Sequence, residues 1–205
     1  KIVCRAHEAA RTVIKELYPN IKVGLTLSLH DIQPVTGGEE NALKEWNDEF
    51  THYLPYLQKD DFLGVQNYTR SLIGPAGSLP APDGTELTQM NYEFYPEALE
   101  HVIRKVSEDF KGELIVTENG IATDDDTRRT AFIEQALSGV ANCIRDGLPV
   151  KGYFYWSLLD NFEWQKGYSM TFGLIAVNRK TQERQPKESL SFLGGFRYGD
   201  SYRTR

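Results

Sequence analysis

Glu118 closes a run, Leu114-Ile115-Val116-Thr117-Glu118-Asn119-Gly120, in which three branched apolar residues give way to polar ones and a glycine. The apolar triplet reads as a short strand buried on both faces, and Gly120 suits a sharp exit with positive φ. A carboxylate at the carboxyl end of a buried parallel strand stands where α/β enzymes do chemistry, because the loops there are free to hold substrate. The competing reading is a solvated Glu in a strand-to-loop turn. Further on, Tyr153, Phe154, Tyr155, Trp156, Phe162 and Trp164 crowd into twelve residues, with Glu163 among them. Exposed rings are surfaces on which sugars stack, and an acid amid aromatics needs polar partners; plain core packing is the alternative. Asp124-Asp125-Asp126 invites a metal, but carboxylates also favour a helix N-terminus, and a helix start is expected there.

Composition narrows the classes. The 205 residues allow one or two domains, and 40% apolar content with 12% aromatics suits a globular chain with a sizeable core. A net charge of −6 without a basic block argues against nucleic acid or an anionic membrane as partner. No apolar run reaches the roughly eighteen residues that span a bilayer, and no signal peptide is recognisable. Cys4 and Cys143 fit no metal or redox spacing. They are expected to be packed thiols in a reducing, cytoplasmic compartment.

These residues need elements to position them. Ile2, Val3, Ala6, Ala10, Val13, Ile14 and Leu17 repeat at helical steps up to Tyr18-Pro19. Lys1 already falls inside that pattern, so a piece of a longer chain is expected. Residues 22–29 alternate as a strand, His30 to Pro34 reads as a loop, and Glu39 to Leu57 reads as one helix. Phe62 to Thr69 is a second strand. Ser71 to Met90, rich in Gly and Pro, reads as a long loop bordering a substrate mouth. A helix follows from about Pro96 to Phe110, then the Glu118 strand, then a helix from the Asp triplet to Asp146-Gly147, then a strand from Val150 to Leu158. Alternating strands and helices predict an α/β fold with a parallel sheet.

Together, I-V-T-E-N-G at 115–120 and G-Y-F-Y-W-S-L-L-D-N-F-E-W at 152–164, continuing to Gly167-Tyr168 and Phe172-Gly173-Leu174, resemble the C-terminal signature of glycoside hydrolase family 1, the β-glucosidases and β-galactosidases. The resemblance implies a (β/α)8 TIM barrel, of which residues 1–205 supply the C-terminal half, strands five to eight. It implies a retaining β-glycosidase without cofactor or metal, acting on a β-glycoside or oligosaccharide, with Glu118 as nucleophile and Tyr68 as its hydrogen-bond donor. Glu163 and Trp164 match residues that bond sugar hydroxyls, Trp156 a stacking platform and Phe172 a pocket wall. Tyr92 replaces a Trp of the leaving-group site, Thr171 an Arg and Asn178 an Asp, which puts the pocket's geometry in question.

Retaining chemistry needs a second carboxyl about 5–5.5 Å from the first. In the family that acid/base lies in an Asn-Glu-Pro run, and this sequence contains none. The expected partner is therefore the N-terminal half of the barrel, or a second copy by self-association, and the lone chain is expected to be inactive. The alternative is a half-barrel that binds sugar or assembles without catalysis.

Overall fold

The computed structural model describes residues 2–196. In chain order the elements are α1 (Ile2–Leu17), β1 (Thr26–Ser28), β2 (Asp31–Pro34), α2 (Glu39–Glu49), a 3-10 turn (Thr51–Tyr53), α3 (Leu54–Leu57), β3 (Phe62–Asn67), β4 (Arg70–Gly74) and β5 (Gly77–Leu79). Then come α4 (Ala98–Asp109), β6 (Glu113–Asn119), α5 (Asp126–Arg145), β7 (Val150–Tyr155), a second 3-10 turn (Trp164–Lys166), β8 (Ile175–Val177), β9 (Arg184–Pro186) and α6 (Glu188–Gly194). The central sheet has the order β1-β3-β6-β7 and every pair in it is parallel.

Period-two alternation decides which side each strand shows to the helices. Leu27, Leu63, Val65, Leu114, Val116 and Val150 form one buried face. They share a core with Leu99, Val102, Ile103 and Val106 of α4 and Phe132, Ala136 and Val140 of α5. The opposite face carries Thr26, Ser28, Ile115, Thr117 and Phe154, none of them buried, and Phe154 is 61% exposed. The result is an open β/α arc, part of a (β/α)8 barrel, with its inner face uncovered. Ile115 is accordingly only half-buried, so the Glu118 strand is not buried on both faces.

Other departures from the sequence reading have local causes. The segment expected to be a loop after His30 contains β2, which pairs in parallel with β4, and the supposed loop from Ser71 opens as the β4–β5 hairpin. The helix expected over 39–57 breaks at Phe50 and restarts as α3 with Pro55 in its first turn, the place where a residue without N–H costs least. The last parallel strand ends at Tyr155 rather than Leu158. Helix α1 forms, but its apolar stripe faces outward, with Ile2, Val3, Val13 and Leu17 exposed. Its inward side carries the buried Cys4 together with His7 and Arg11, which both meet the carboxylate of Asp60.

Candidate active site

An extra residue in β6 turns Glu118 inward. Gly64 pairs with Ile115 and Val65 with Val116, but Gln66 pairs with Glu118, leaving Thr117 bulged. In an unbroken register Glu118 would face the helices, because a one-residue shift exchanges the two faces of a strand. With the bulge, Thr117 and Glu118 both face the open side. Thr117 Oγ1 lies 2.5 Å from Thr26 Oγ1 across the bare Cα of Gly64.

Two donors then fix the carboxylate. Gln66 Nε2 donates to Oε1 at 3.1 Å and the Tyr68 hydroxyl donates to Oε2 at 2.5 Å. Burial, followed by that hydrogen bond, holds the Tyr68 pKa well above the usual phenol range, so the hydroxyl stays a donor. The alternate residues of the same strands face outward and tie the rim together. Asn119 Nδ2 donates to Asn67 O at 2.7 Å, and the Tyr153 hydroxyl donates to Asn119 Oδ1 at 2.8 Å.

Gly120 does not have a positive φ. Its requirement is close approach: a Cβ there would lie 1.9 Å from the carbonyl oxygen of Trp156, whose N–H donates to Asn119 O at 2.9 Å. The peptide joining Trp156 to Ser157 is cis. Gly120→Ala is expected to destabilise the chain by about 3 kcal/mol, the upper part of the range for overpacking. Gly194→Ala, whose Cβ meets nothing within 4 Å, should change stability by less than about 1 kcal/mol. Urea unfolding of both variants checks this, and equal midpoints would refute the close-approach account.

Above the strand ends lies a cavity of about 310 Å³ lined by Gln66, Tyr68, Met90, Tyr92, Glu118, Trp156, Glu163, Trp164 and Phe172. All seven residues singled out in the sequence border it. Gln66 and Met90 were not foreseen as pocket residues, although Gln66 sits one strand period before Tyr68 and could have been read from that. Glu163 Oε2 accepts from Asn161 Nδ2 at 3.0 Å, Trp164 is 82% exposed, and Phe172 packs edge-on to Tyr68 with centroids 6.1 Å apart. Burial, with Glu163 nearby, raises the pKa of Tyr92.

The wall around Phe172 is pinned on both sides. Gln89 Oε1 accepts from Thr171 N–H at 3.0 Å and from its hydroxyl at 2.9 Å. Thr171 O accepts from Arg129, which is fully buried, also donates to Thr123 O and pairs with Asp126. On the other side, Gly173 N–H donates to Asp160 at 2.8 Å, and Lys187 joins Asp160 at 3.2 Å and Gly173 O at 2.6 Å. Thr171 thus has partners of its own where the resemblance has an Arg. Asn178 Oδ1 caps the β8–β9 turn by accepting from Lys180 and Thr181 N–H, which an amide oxygen does as well as a carboxylate.

Asp125 caps α5 by accepting from Thr127 N–H, and Asp126 accepts from Ser189 of α6. The acidic triplet therefore starts a helix, and the described residues contain no cluster of three or more metal-ligating side chains. His30 is bound to Glu49 at 2.8 Å, a hydrogen bond that raises its pKa.

A parallel β/α arc with a doubly held carboxylate and an indole-lined pocket outside the carboxyl ends of its strands is the architecture of a barrel-type enzyme. The profile described as glycosyl hydrolase family 1 matches residues 50–197, and the chain belongs to that family. It is similar to β-glucosidase A of Thermotoga maritima, 30% identical over 233 residues, covering 90% of this chain and 52% of that protein. Among solved structures, the β-glycosidase BGL167 superposes with a TM-score of 0.91 at 48% identity, over 94% of this chain and 46% of that one. A β-glucosidase from Thermotoga maritima in complex with deoxynojirimycin gives a TM-score of 0.82 at 28% identity, over 93% and 53%. The chain thus spans about half the length of the relatives it matches.

Proposed function

We propose that this chain carries the nucleophile and much of the sugar pocket of a retaining β-glycosidase acting on β-glucosides or closely related β-glycosides. Glu118 attacks the anomeric carbon, and the glycosyl-enzyme bond that forms is later cleaved by water. Tyr68 and Gln66 hold the attacking carboxylate. Glu163 and Trp164 bond the hydroxyls far from the anomeric carbon, Trp156 and Phe172 enclose the ring, and Tyr92 lines the leaving-group side. The acid/base carboxylate comes from a complementary half-barrel. The observation that carries this reading is the pair of donors on the two oxygens of Glu118 inside a pocket that also holds Glu163 and two indoles.

Docking of the complementary half is supported by the open inner face, by β1 and β7 at the two ends of the sheet, and by the outward stripe of α1. An unpaired strand edge beside uncovered apolar surface invites association. An activated glycoside, a dinitrophenyl β-glucoside, tests the nucleophile directly. Mass spectrometry of the digested protein should find one hexosyl adduct on the peptide holding Glu118 and none in Glu118→Gln. An adduct elsewhere, or one that survives the substitution, would remove the assignment.

A further inference from the structure

Lys105 of α4 differs from the lysines that the protein ties down. Lys15, Lys22 and Lys187 each meet a carboxylate, and Lys111 donates to Ser107 O. The ammonium of Lys105 makes no hydrogen bond or ion pair with a described residue and lies 4.2 Å over the ring of the buried Trp46. It opens instead on a cavity of about 270 Å³, lined by Ile32 and Pro34 of β2, Glu39, Ala42 and Leu43 of α2, and Lys105 itself. Four of those six side chains are apolar. None of the six lines the cavity beside Glu118.

The nearby acids are committed elsewhere. Asp31 accepts from His101 at 2.7 Å and from Gln33 at 2.6 Å, and Glu49 holds both the backbone N–H and the ring of His30 at 2.8 Å. Burial lowers the pKa of Lys105 below the usual lysine range, although the charges of Asp31, Glu108 and Glu49 act in the opposite sense. A larger share of this amine is therefore neutral near pH 7, with its lone pair free. Lys187 is also lowered by burial, but its nitrogen donates to Gly173 O at 2.6 Å and to Asp160 at 3.2 Å. An unbonded, partly desolvated lysine amine in an apolar pocket is the arrangement that makes lysine a nucleophile toward carbonyl groups.

We propose that Lys105 is a covalent modification site for small apolar aldehydes, which its amine takes up as an imine within the Leu43 cavity. The neutral Nζ attacks the carbonyl carbon, and the C=O π pair moves to oxygen. Both N–H protons pass to that oxygen by way of solvent, and it leaves as water while the C=N bond forms. No oxidant or reductant is consumed, and hydrolysis reverses the step. Ile32, Pro34, Ala42 and Leu43 favour an aldehyde with a hydrocarbon body, while Glu39 disfavours an anionic one. The proposal does not depend on the glycosidase reading.

Reductive trapping tests it. The chain is treated with limiting benzaldehyde and cyanoborohydride near neutral pH, which fixes each imine as a benzylamine, and peptide mass spectrometry then ranks the lysines. Among lysine side chains, Lys105 should be the first to carry a benzyl group, ahead of Lys44, Lys59, Lys151 and Lys187, and Lys105→Arg should abolish that early label. Leu43→Glu, at a position 72% exposed, places a carboxylate on the apolar wall. It should slow labelling of Lys105 by about two- to fivefold, the scale of an exposed ion pair, and leave the other lysines unchanged. Formaldehyde, which has no apolar body, should show a smaller preference for Lys105. Label spread evenly over the exposed lysines, a Leu43→Glu rate equal to that of the parent chain, or the same preference with both aldehydes would overturn the proposal.

Discussion

Glu118→Gln in the complete barrel is expected to lower kcat on a β-glucoside by a factor on the order of 10⁴ or more while the substrate still binds. Losses of that size accompany removal of a residue that makes a covalent intermediate. The amide keeps the shape of the side chain and can still meet Tyr68 and Gln66, so the pocket remains and KM should change far less than kcat. Tyr68→Phe should rank well below it. Deleting one hydrogen bond to a charged group costs about 1.5–3 kcal/mol, or roughly ten- to a hundredfold, and Gln66 still holds the other oxygen. Glu163→Ala should fall between them and raise KM as well, since its hydroxyl contacts strengthen toward the transition state. Steady-state kinetics on one aryl glucoside orders the three. Near-normal turnover in Glu118→Gln would end the nucleophile assignment, and a Tyr68→Phe loss equal to that of Glu118→Gln would mean that Tyr68 does more than hold the carboxylate.

The alternation of strands and helices is legible in the sequence because β6 has a run of branched apolar residues, the segment around β1 alternates apolar and small or polar residues, and α4 and α5 carry a 3.6-residue stripe. The cores of α4 and α5 come directly from that pattern. Where elements lack it, the reading fails. β2 is Asp-Ile-Gln-Pro and β4–β5 is Gly-rich, and both owe their strand character to each other rather than to local propensity. The stripe of α1 is correctly helical, yet periodicity cannot say what it packs against, and here the buried Asp60 draws His7 and Arg11 inward. The bulge at Thr117 is invisible in sequence because it depends on the register with β3. It is nevertheless what turns Glu118 to the open side. Gly120 is legible as necessary but not for its actual reason, since the approach of Trp156 is a contact across 36 positions. The group around Glu118 stands out mainly through its motifs. Gln66 does not stand out by its residue type, and only its place one strand period before Tyr68 hints that it faces the same pocket. At the start of α6, Lys187 and Ser189 fasten the helix to the Phe172 wall and to the start of α5.

The chain by itself is expected not to hydrolyse ordinary β-glucosides, and the complementary half added in trans is expected to raise the rate sharply. The chemistry explains why. Attack by Glu118 expels an alkoxide, and an unactivated alkoxide leaves only if it is protonated as the bond breaks. In the described residues the cavity beside Glu118 holds two carboxylates, Glu118 and Glu163. The first is the proposed nucleophile, and the second is bonded by Asn161 on the sugar-binding side. Losing general acid catalysis alone costs on the order of 10²–10⁴-fold, and an open inner face that admits water weakens every electrostatic contact in the pocket. The combined deficit should exceed either part. A dinitrophenolate needs no proton to depart, so dinitrophenyl β-glucoside should still label Glu118 slowly while cellobiose remains intact. Titrating the complementary half against a fixed amount of chain should then restore cellobiose hydrolysis with saturation at one to one. Robust cellobiose hydrolysis by the purified 205-residue chain, with no second polypeptide detectable by mass spectrometry, would show that the acid resides in this half. Glu163 would then be the first residue to replace.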